Sequence, residues 1–454
     1  MTALLSNLVV LSVLASPLAD SNAVELRYRG ALIETGRESN GDTVKRFNLY
    51  CLVSKAEGDG QRLAFLVDEN GGGSWAWPEQ YGQIDLDAAL RPTNPAQIRL
   101  LYTHEGEPTS IRVRRPLFEH HDKLAENANW TVGNSKYSVV GSAKVQDWDC
   151  WRVEAVTNFG LREELAVEKQ TGLIVSARRD LTRGKGVPFS LSFELQSHKP
   201  LEKADHDKLQ KPISTLAKLQ ADLKRPENEM NAELTSDQLK VTELIAEQLQ
   251  QEAEDTPYAR LAASIRRDLK RQMRRYDEVE KLSANFVGKA APKFSLQPLR
   301  GEAIDAAAMK GNVVVLHFWD YKYDPLVEPY GQAPYLDYSF TRYKKLGVQV
   351  YGVAVNSLFS DANTRGAALQ STRKFKSFMN LSYPLAIDAG ELVAKFGDPR
   401  RVGAKLPLWV VIGADGKVAH YSIGFYDINP DEGLRPLDKA VGKAVRAKRE
   451  AKKD

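Results

Sequence analysis

The seven residues from Val313 to Trp319, VVVLHFW, contain a single polar side chain, His317. Side chains of a strand alternate between its two faces, so an uninterrupted apolar run has to be buried on both. Such a strand needs a covering layer on each side, and the neighbouring segments supply them. Val348 to Val355, Trp409 to Gly413 and Val418 to Ile423 read as further strands, and Ala333 to Lys345, Thr372 to Met379 and Asp431 to Ala447 as helices. Strands separated by helices predict parallel pairing at the centre. The last two strands, joined by Ala414-Asp415-Gly416-Lys417, predict a hairpin.

Upstream the pattern is different. Between Val24 and Pro200 short stretches rich in β-branched and aromatic residues, among them VELRYRGALI, TVKRFNLYCLV, CWRVEAV and FSLSFELQS, alternate with turn signals such as Ser39-Asn40-Gly41-Asp42 and Gly71-Gly72-Gly73. This predicts an antiparallel sheet. From Leu201 to Leu282 apolar residues recur at three and four, as in Leu261, Ile265, Leu269, Met273, Tyr276 and Val279, and Pro226 and Pro257 punctuate about three helices. The expected organisation is multidomain α+β. It consists of a signal peptide over 1–23, an antiparallel β-sheet domain over 24–200, a charged helical connector over 201–285, an α/β domain over 286–447 and a basic tail over 448–454.

Charge points to no polyanionic partner. The 63 basic and 59 acidic residues leave a net charge of +4, much of it between Lys443 and Lys453. The cluster Arg266, Arg267, Lys270, Arg271, Arg274 and Arg275 lies beside Asp268, Asp277, Glu278 and Glu280, so it reads as a solvated helix face and no nucleic acid is expected. At the N-terminus an apolar run from Leu8 to Ala15 precedes Ser21 and Ala23 in small-x-small spacing, the pattern of an exported chain's leader, although no Lys or Arg precedes the run. No segment is long enough to span a bilayer.

Cysteine is confined to Cys51 and Cys150. In an exported chain such a pair is expected either as a structural disulfide or as two buried thiols in facing strands. Other chemistry-bearing candidates are few. Glu119-His120-His121-Asp122 invites a metal, but adjacent histidines in a strand face opposite ways and no third ligand is near in sequence. Trp75 and Trp77, two apart, are expected on one strand face, packing the core. His317 is expected to be a core histidine. Neither a metal nor a cofactor is called for, since no phosphate loop, Ser-His-Asp order or paired-carboxylate motif appears.

Four motifs in order carry a resemblance. VGKAAPKFSL, MKGNVVVLHFW, APYLDYSFTRYKKLGVQVYGVAV and RRVGAKLPLWVVIGADGKVAHYSIGF resemble the thioredoxin superfamily, in particular its alkyl hydroperoxide reductase/thiol-specific antioxidant branch and the exported TlpA-like oxidoreductases. The resemblance covers about Gly288 to Val445 and implies a thioredoxin-like α/β domain with a cis proline at Pro407. It also implies where the chemistry should be. Laying the family's Cys-x-x-Cys turn over this sequence puts Tyr323 and Leu326 at the cysteine positions, with Asp324 and Pro325 between them, and Glu328 to Gln332 as an insertion before the helix proline Pro334. A separate likeness, over Asn134 to Leu201, is to the curved sheet of lipoprotein-carrier-like domains.

Thiol exchange needs a thiolate at the start of a helix, and neither Tyr323 nor Leu326 can supply one. No catalytic residue is therefore assigned, and two readings follow. In one, the domain is redox-inactive and binds an extended polypeptide or partner protein through backbone groups of Leu406 beside Pro407, with Trp319, Tyr321 and Tyr323 as an aromatic wall. In the other, it is a thiol-disulfide oxidoreductase or peroxiredoxin-type enzyme whose thiol comes from elsewhere.

Overall fold

The computed structural model describes residues 23–36, 41–56, 59–104, 107–183, 186–223, 233–321, 332–426, 428 and 434–451. The chain divides into two compact units, Met1–Lys270 and Arg271–Asp454.

In the first unit twelve strands are described: β1 (Ala23–Glu34), β2 (Thr43–Lys55), β3 (Gln61–Asn70), β4 (Tyr81–Leu86), β5 (Arg99–His104), β6 (Glu107–Arg112), β7 (Asn129–Val132), β8 (Ser135–Val145), β9 (Trp148–Thr157), β10 (Arg162–Glu168), β11 (Ile174–Arg183) and β12 (Val187–Leu201). Ten of them form one antiparallel sheet in the order β4-β3-β2-β1-β12-β11-β10-β9-β8-β7, and β5 pairs with β6. Alternation sets the faces: Phe47, Leu49, Cys51 and Val53 of β2 enter one core with Leu100 and Tyr102 of β5 and Ile111 of β6. The intervening Tyr50 and Leu52 are also buried, because the reverse face of β2 is covered too. Tyr50 meets Tyr258 edge to face at 5.7 Å. The helices α1 (Lys203–Leu223), α2 (Ser236–Glu252) and α3 (Ala259–Phe286) follow. On α1, Leu209, Ile213, Leu216 and Leu219 recur at three and four and are buried, and Gln220 Nε2 donates to the Pro78 and Tyr81 carbonyls. Thr235 and Gln238 form a capping box that starts α2.

The second unit contains the strand from which the sequence argument began. The described elements are β13 (Ser295–Pro298), β14 (Ile304–Asp305), β15 (Val313–Asp320), α4 (Ala333–Tyr343), β16 (Val348–Val355), α5 (Ala362–Phe378), β17 (Leu385–Asp388), α6 (Glu391–Lys395), β18 (Leu408–Ile412), β19 (Val418–Ile423) and α7 (Arg435–Glu450). The sheet order is β14-β13-β17-β16-β15-β18-β19. β15 runs parallel to β16 and antiparallel to β18, which forms the expected hairpin with β19. Val313, Val315 and Trp319 pack with Leu336 of α4, Phe375 of α5 and Val441 of α7. Val314, Leu316 and Phe318 pack on the other side with Phe294, Leu392 and Phe396. Both faces are covered, and each fully buried apolar side chain contributes roughly 1.5–3 kcal/mol. A mixed sheet with parallel central strands, a closing antiparallel hairpin and helices on both faces is a thioredoxin-like arrangement, and the chain as a whole is multidomain α+β.

Some local expectations are corrected. His120 and His121 lie at the start of a short turn over His121–Lys123, not in a strand. Trp77 opens a turn with Pro78, so the Trp75/Trp77 spacing is not strand alternation, though both rings are buried. Of the two arrangements expected for Cys51 and Cys150, the structure has two free, buried thiols and not the disulfide, though the strands that carry them do not face each other as neighbours. The two thiols sit on β2 and β9, and β1, β12, β11 and β10 lie between those strands in the sheet. Among the described residues no helix is long and apolar enough to cross a membrane, which says nothing of strands.

Candidate functional site

The Leu406 to Pro407 peptide bond is cis, and both residues are buried. Pro407 leads directly into β18, and its carbonyl accepts the N–H of Gly424 at 2.8 Å. The Leu406 side chain enters the core with Phe318, Phe396 and Leu408. Its backbone is different. Among the described residues neither the N–H nor the carbonyl of Leu406 makes a hydrogen bond.

Trp319 and Tyr321 do not form an open wall. Trp319 is 3 % exposed and Tyr321 fully buried. Trp319 packs on Phe375 at 5.1 Å and edge-on to Tyr321 at 5.7 Å, while Tyr321 faces Phe359 at 5.6 Å. The Tyr321 N–H donates to the Val355 carbonyl at 3.1 Å, and its own carbonyl accepts from the Asn356 side chain. These rings seal the end of the sheet beneath α5. Tyr323 and Leu326, with Asp324, Pro325 and Glu328, lie outside the described residues.

His317 is buried and stacks on Trp409 at 3.8 Å between ring centroids, as their cross-strand pairing in β15 and β18 requires. Trp409 donates Nε1–H to the Gly424 carbonyl at 3.1 Å and faces Tyr426 at 5.3 Å. Tyr426 Oη and His420 Nε2 are 2.7 Å apart. Burial raises the Tyr426 phenol and lowers the His420 imidazolium, so both are neutral at pH 7.

Gln332 was not singled out by its sequence pattern beyond ending the insertion before Pro334, and the structure gives it a definite role. It is buried in the left-handed conformation at the start of α4, with φ 61°. Its Nε2 donates to the Tyr426 carbonyl at 2.7 Å and its Oε1 accepts the Tyr426 N–H at 3.0 Å. The two bonds fasten the start of α4 to the segment after β19. Only a polar residue with both donor and acceptor two positions before the proline would have signalled it.

Among the described residues, this end of the sheet offers hydrogen-bonding backbone and neutral rings. The chain contains no cysteine between residues 287 and 421, and its two thiols lie in the first unit, shielded by burial. Among the described residues no three His, Cys, Asp or Glu side chains are grouped to hold a metal ion.

Comparison with known proteins bears on the second unit. The thiol-disulfide oxidoreductase ResA of Geobacillus kaustophilus (strain HTA426) is 29 % identical over 142 residues, 31 % of this chain and 72 % of that protein. Among solved structures, a putative thiol:disulfide interchange protein DsbE from Chlorobium tepidum is 24 % identical, covering 35 % of this chain and 97 % of its own, with a TM-score of 0.27. A secreted Mycobacterium tuberculosis disulfide oxidoreductase is 22 % identical, covering 33 % and 95 %, with a TM-score of 0.25. Residues 287–421 match the family model of the AhpC/TSA family.

Proposed function

We propose that residues 286–447 form a polypeptide-binding module that performs no thiol-disulfide chemistry of its own, within an exported chain. One observation carries this reading: Leu406 buries its side chain while both of its backbone groups lack a hydrogen-bond partner among the described residues. Backbone N–H and carbonyl groups are seldom left unpaired away from water. An extended peptide laid beside Leu406 would satisfy both, in the manner of strand addition, and needs no sulfur. The burial of Trp319 and Tyr321 narrows the binding surface to the backbone and leaves the rings as support beneath it. Export rests on the leader-like Leu8 to Ala15 run, which lies outside the described residues.

The alternative, an oxidoreductase like the named relatives, is supported by the family match and requires a thiol that the matched segment lacks. Insulin reduction and peroxide consumption separate the two. The wild-type chain is expected to show neither, and turnover that a Cys51→Ser, Cys150→Ser double variant loses would refute the non-redox reading. Binding is tested by hydrogen exchange with a permanently unfolded, carboxymethylated polypeptide as probe. The Leu406 amide should exchange more slowly when the probe is added, and an unchanged rate argues against strand addition at this residue.

A further inference from the structure

One face of the second unit's sheet is covered by three helices whose charge is lopsided. Val313, Val315 and Trp319 meet Leu336 of α4, Phe375 of α5 and Val441 of α7 on that face, so the opposite sides of all three helices look outward. Residues 333–346, 361–378 and 435–450 hold three, four and six basic residues against one, one and two acidic. Thirteen less four is a formal excess of nine, larger than the net +4 of the whole chain, so the remainder of the chain is net acidic. The near-balance of the full sequence hides this segregation. Three of the four acids are held in local contacts: Asp337 accepts the Ser382 N–H at 2.6 Å, Asp361 caps α5 through the Asn363 N–H at 2.9 Å, and Asp438 is buried with Ser339 Oγ at 2.9 Å and Arg342 Nη1 at 3.4 Å. Glu450, exposed at the end of α7, is the fourth.

α4 and α7 stand side by side. Tyr343 Oη donates to the Asp438 carbonyl at 3.2 Å, a Cβ on Gly442 would lie 3.9 Å from the same Oη, and one on Gly347 would lie 3.5 Å from Lys448 Nζ. The two helices therefore run in the same direction and their outward ridges are neighbours. Tyr335, Tyr338, Arg342 and Lys345 recur at three and four along α4 and the turn after it, and Lys439, Lys443 and Arg446 along α7, all of them exposed. Among the described residues Lys345, Lys439, Lys443, Arg446 and Arg449 form no ion pair. α5 adds Arg365 and Lys374, both exposed. Rings stand among these cations: Tyr338 is 57 % exposed, and Phe378, at the end of α5, 72 %. Lysine and arginine interspersed with protruding aromatics suit the headgroup region of a bilayer, where the cations meet phosphate and the rings enter the interface.

We infer that this helical face docks on an anionic lipid surface, with Lys345, Lys439, Lys443 and Arg446 over the headgroups and Tyr338 and Phe378 reaching between them. Co-sedimentation of the full chain with vesicles tests it, using phosphatidylcholine alone and phosphatidylcholine mixed with phosphatidylglycerol. The wild type is expected to bind the mixed vesicles at low salt, to bind the neutral ones weakly, and to lose the difference as salt is raised. Each basic side chain held at such a surface contributes roughly fivefold, so the triple variant Lys439→Gln, Lys443→Gln, Arg446→Gln should bind the mixed vesicles at least about tenfold more weakly. The charge-preserving triple Lys439→Arg, Lys443→Arg, Arg446→Lys should bind as the wild type does. Arg266→Gln, Arg267→Gln, Lys270→Gln makes the same change of net charge at exposed positions of α3 and should also leave binding intact. Equal binding to both kinds of vesicle, an α7 glutamine triple that binds like the wild type, or an equal loss in the α3 triple overturns the inference. So does tighter binding to polyglutamate or to an oligonucleotide than to the mixed vesicles at the same salt, which would assign the face to a macromolecular polyanion.

Discussion

Lys45 and Glu69 show how far a single side chain can depart from its pattern. Lys45 Nζ lies 3.0 Å from Glu69 Oε2, with 0 % and 1 % of the two side chains exposed. The lysine also donates to the carbonyls of Gly71 and Gly73, and Glu69 accepts the N–H groups of Trp75 and Leu101. The pair thereby holds the glycine loop against β5. Lys45→Met strands a buried carboxylate and is expected to cost about 3–5 kcal/mol in urea unfolding. Adding Glu69→Gln, which removes the stranded charge and keeps an acceptor for one of the two N–H groups, should recover part of that loss. Nothing in TVKRF distinguished Lys45 from a solvent-facing lysine, because its partner lies on another strand and alternation reports faces without partners. The cysteines make the complementary case. Burial first, then Glu168 and Asp149, push the Cys150 thiol up to about 11, and burial pushes Cys51 higher still. At pH 8 about one Cys150 thiol in a thousand is ionised, so iodoacetamide should label the native chain slowly and both thiols promptly in denaturant. Rapid native labelling would contradict the burial assigned to them.

Among elements, α7 is tied to α4 by polar contacts in an otherwise apolar seam. Ser339 Oγ donates to Asp438 Oδ1 at 2.9 Å, Tyr343 Oη donates to the Asp438 carbonyl at 3.2 Å, and Arg342 approaches Oδ2 at 3.4 Å. Burial raises the Asp438 carboxyl despite Ser339 and Arg342. The folded chain therefore holds this proton to higher pH than the unfolded chain does, and its stability falls as pH rises from the ordinary aspartate value through the raised one. Asp438→Asn should remove that slope while keeping the Ser339 bond, which chemical denaturation of both proteins over a pH series that starts below the ordinary aspartate value would check. A parallel pH dependence in the two would count against the assignment. Long elements were legible where one pattern dominated: β15, β16, β18 and β19 and the helices α1 to α3 follow from apolar runs and three-four spacing. β13, β14 and β17 were not, since four residues or fewer carry too little period, and Ala362 to Gln370 of α5 is too polar to declare a face. In the sheet of the first unit, β4 and β7 were missed because Gly82 and Asn129 dilute their β character. At the candidate site, the proline and its preceding leucine were readable from local sequence. The burial of Trp319 and Tyr321 was not, because it depends on Phe359 and Phe375, which lie far along the chain.

For the whole molecule, the two units have separate apolar cores. Calorimetry is expected to resolve two transitions. Phe47→Ala should lower one and Trp409→Ala the other, each through loss of about 3–5 kcal/mol of core packing. A single transition lowered by both would show that the units melt together. The order in which the first unit can be assembled follows from its strand pairing. β1 is bonded to β2 on one side and to β12 on the other, so the earliest strand is completed by the latest. At ribosomal rates about 150 residues between them take roughly 8 to 30 seconds to emerge. Throughout that interval the nascent chain presents an apolar strand with one unsatisfied edge, and this is the period in which it is most exposed to wrong pairing or in most need of a chaperone.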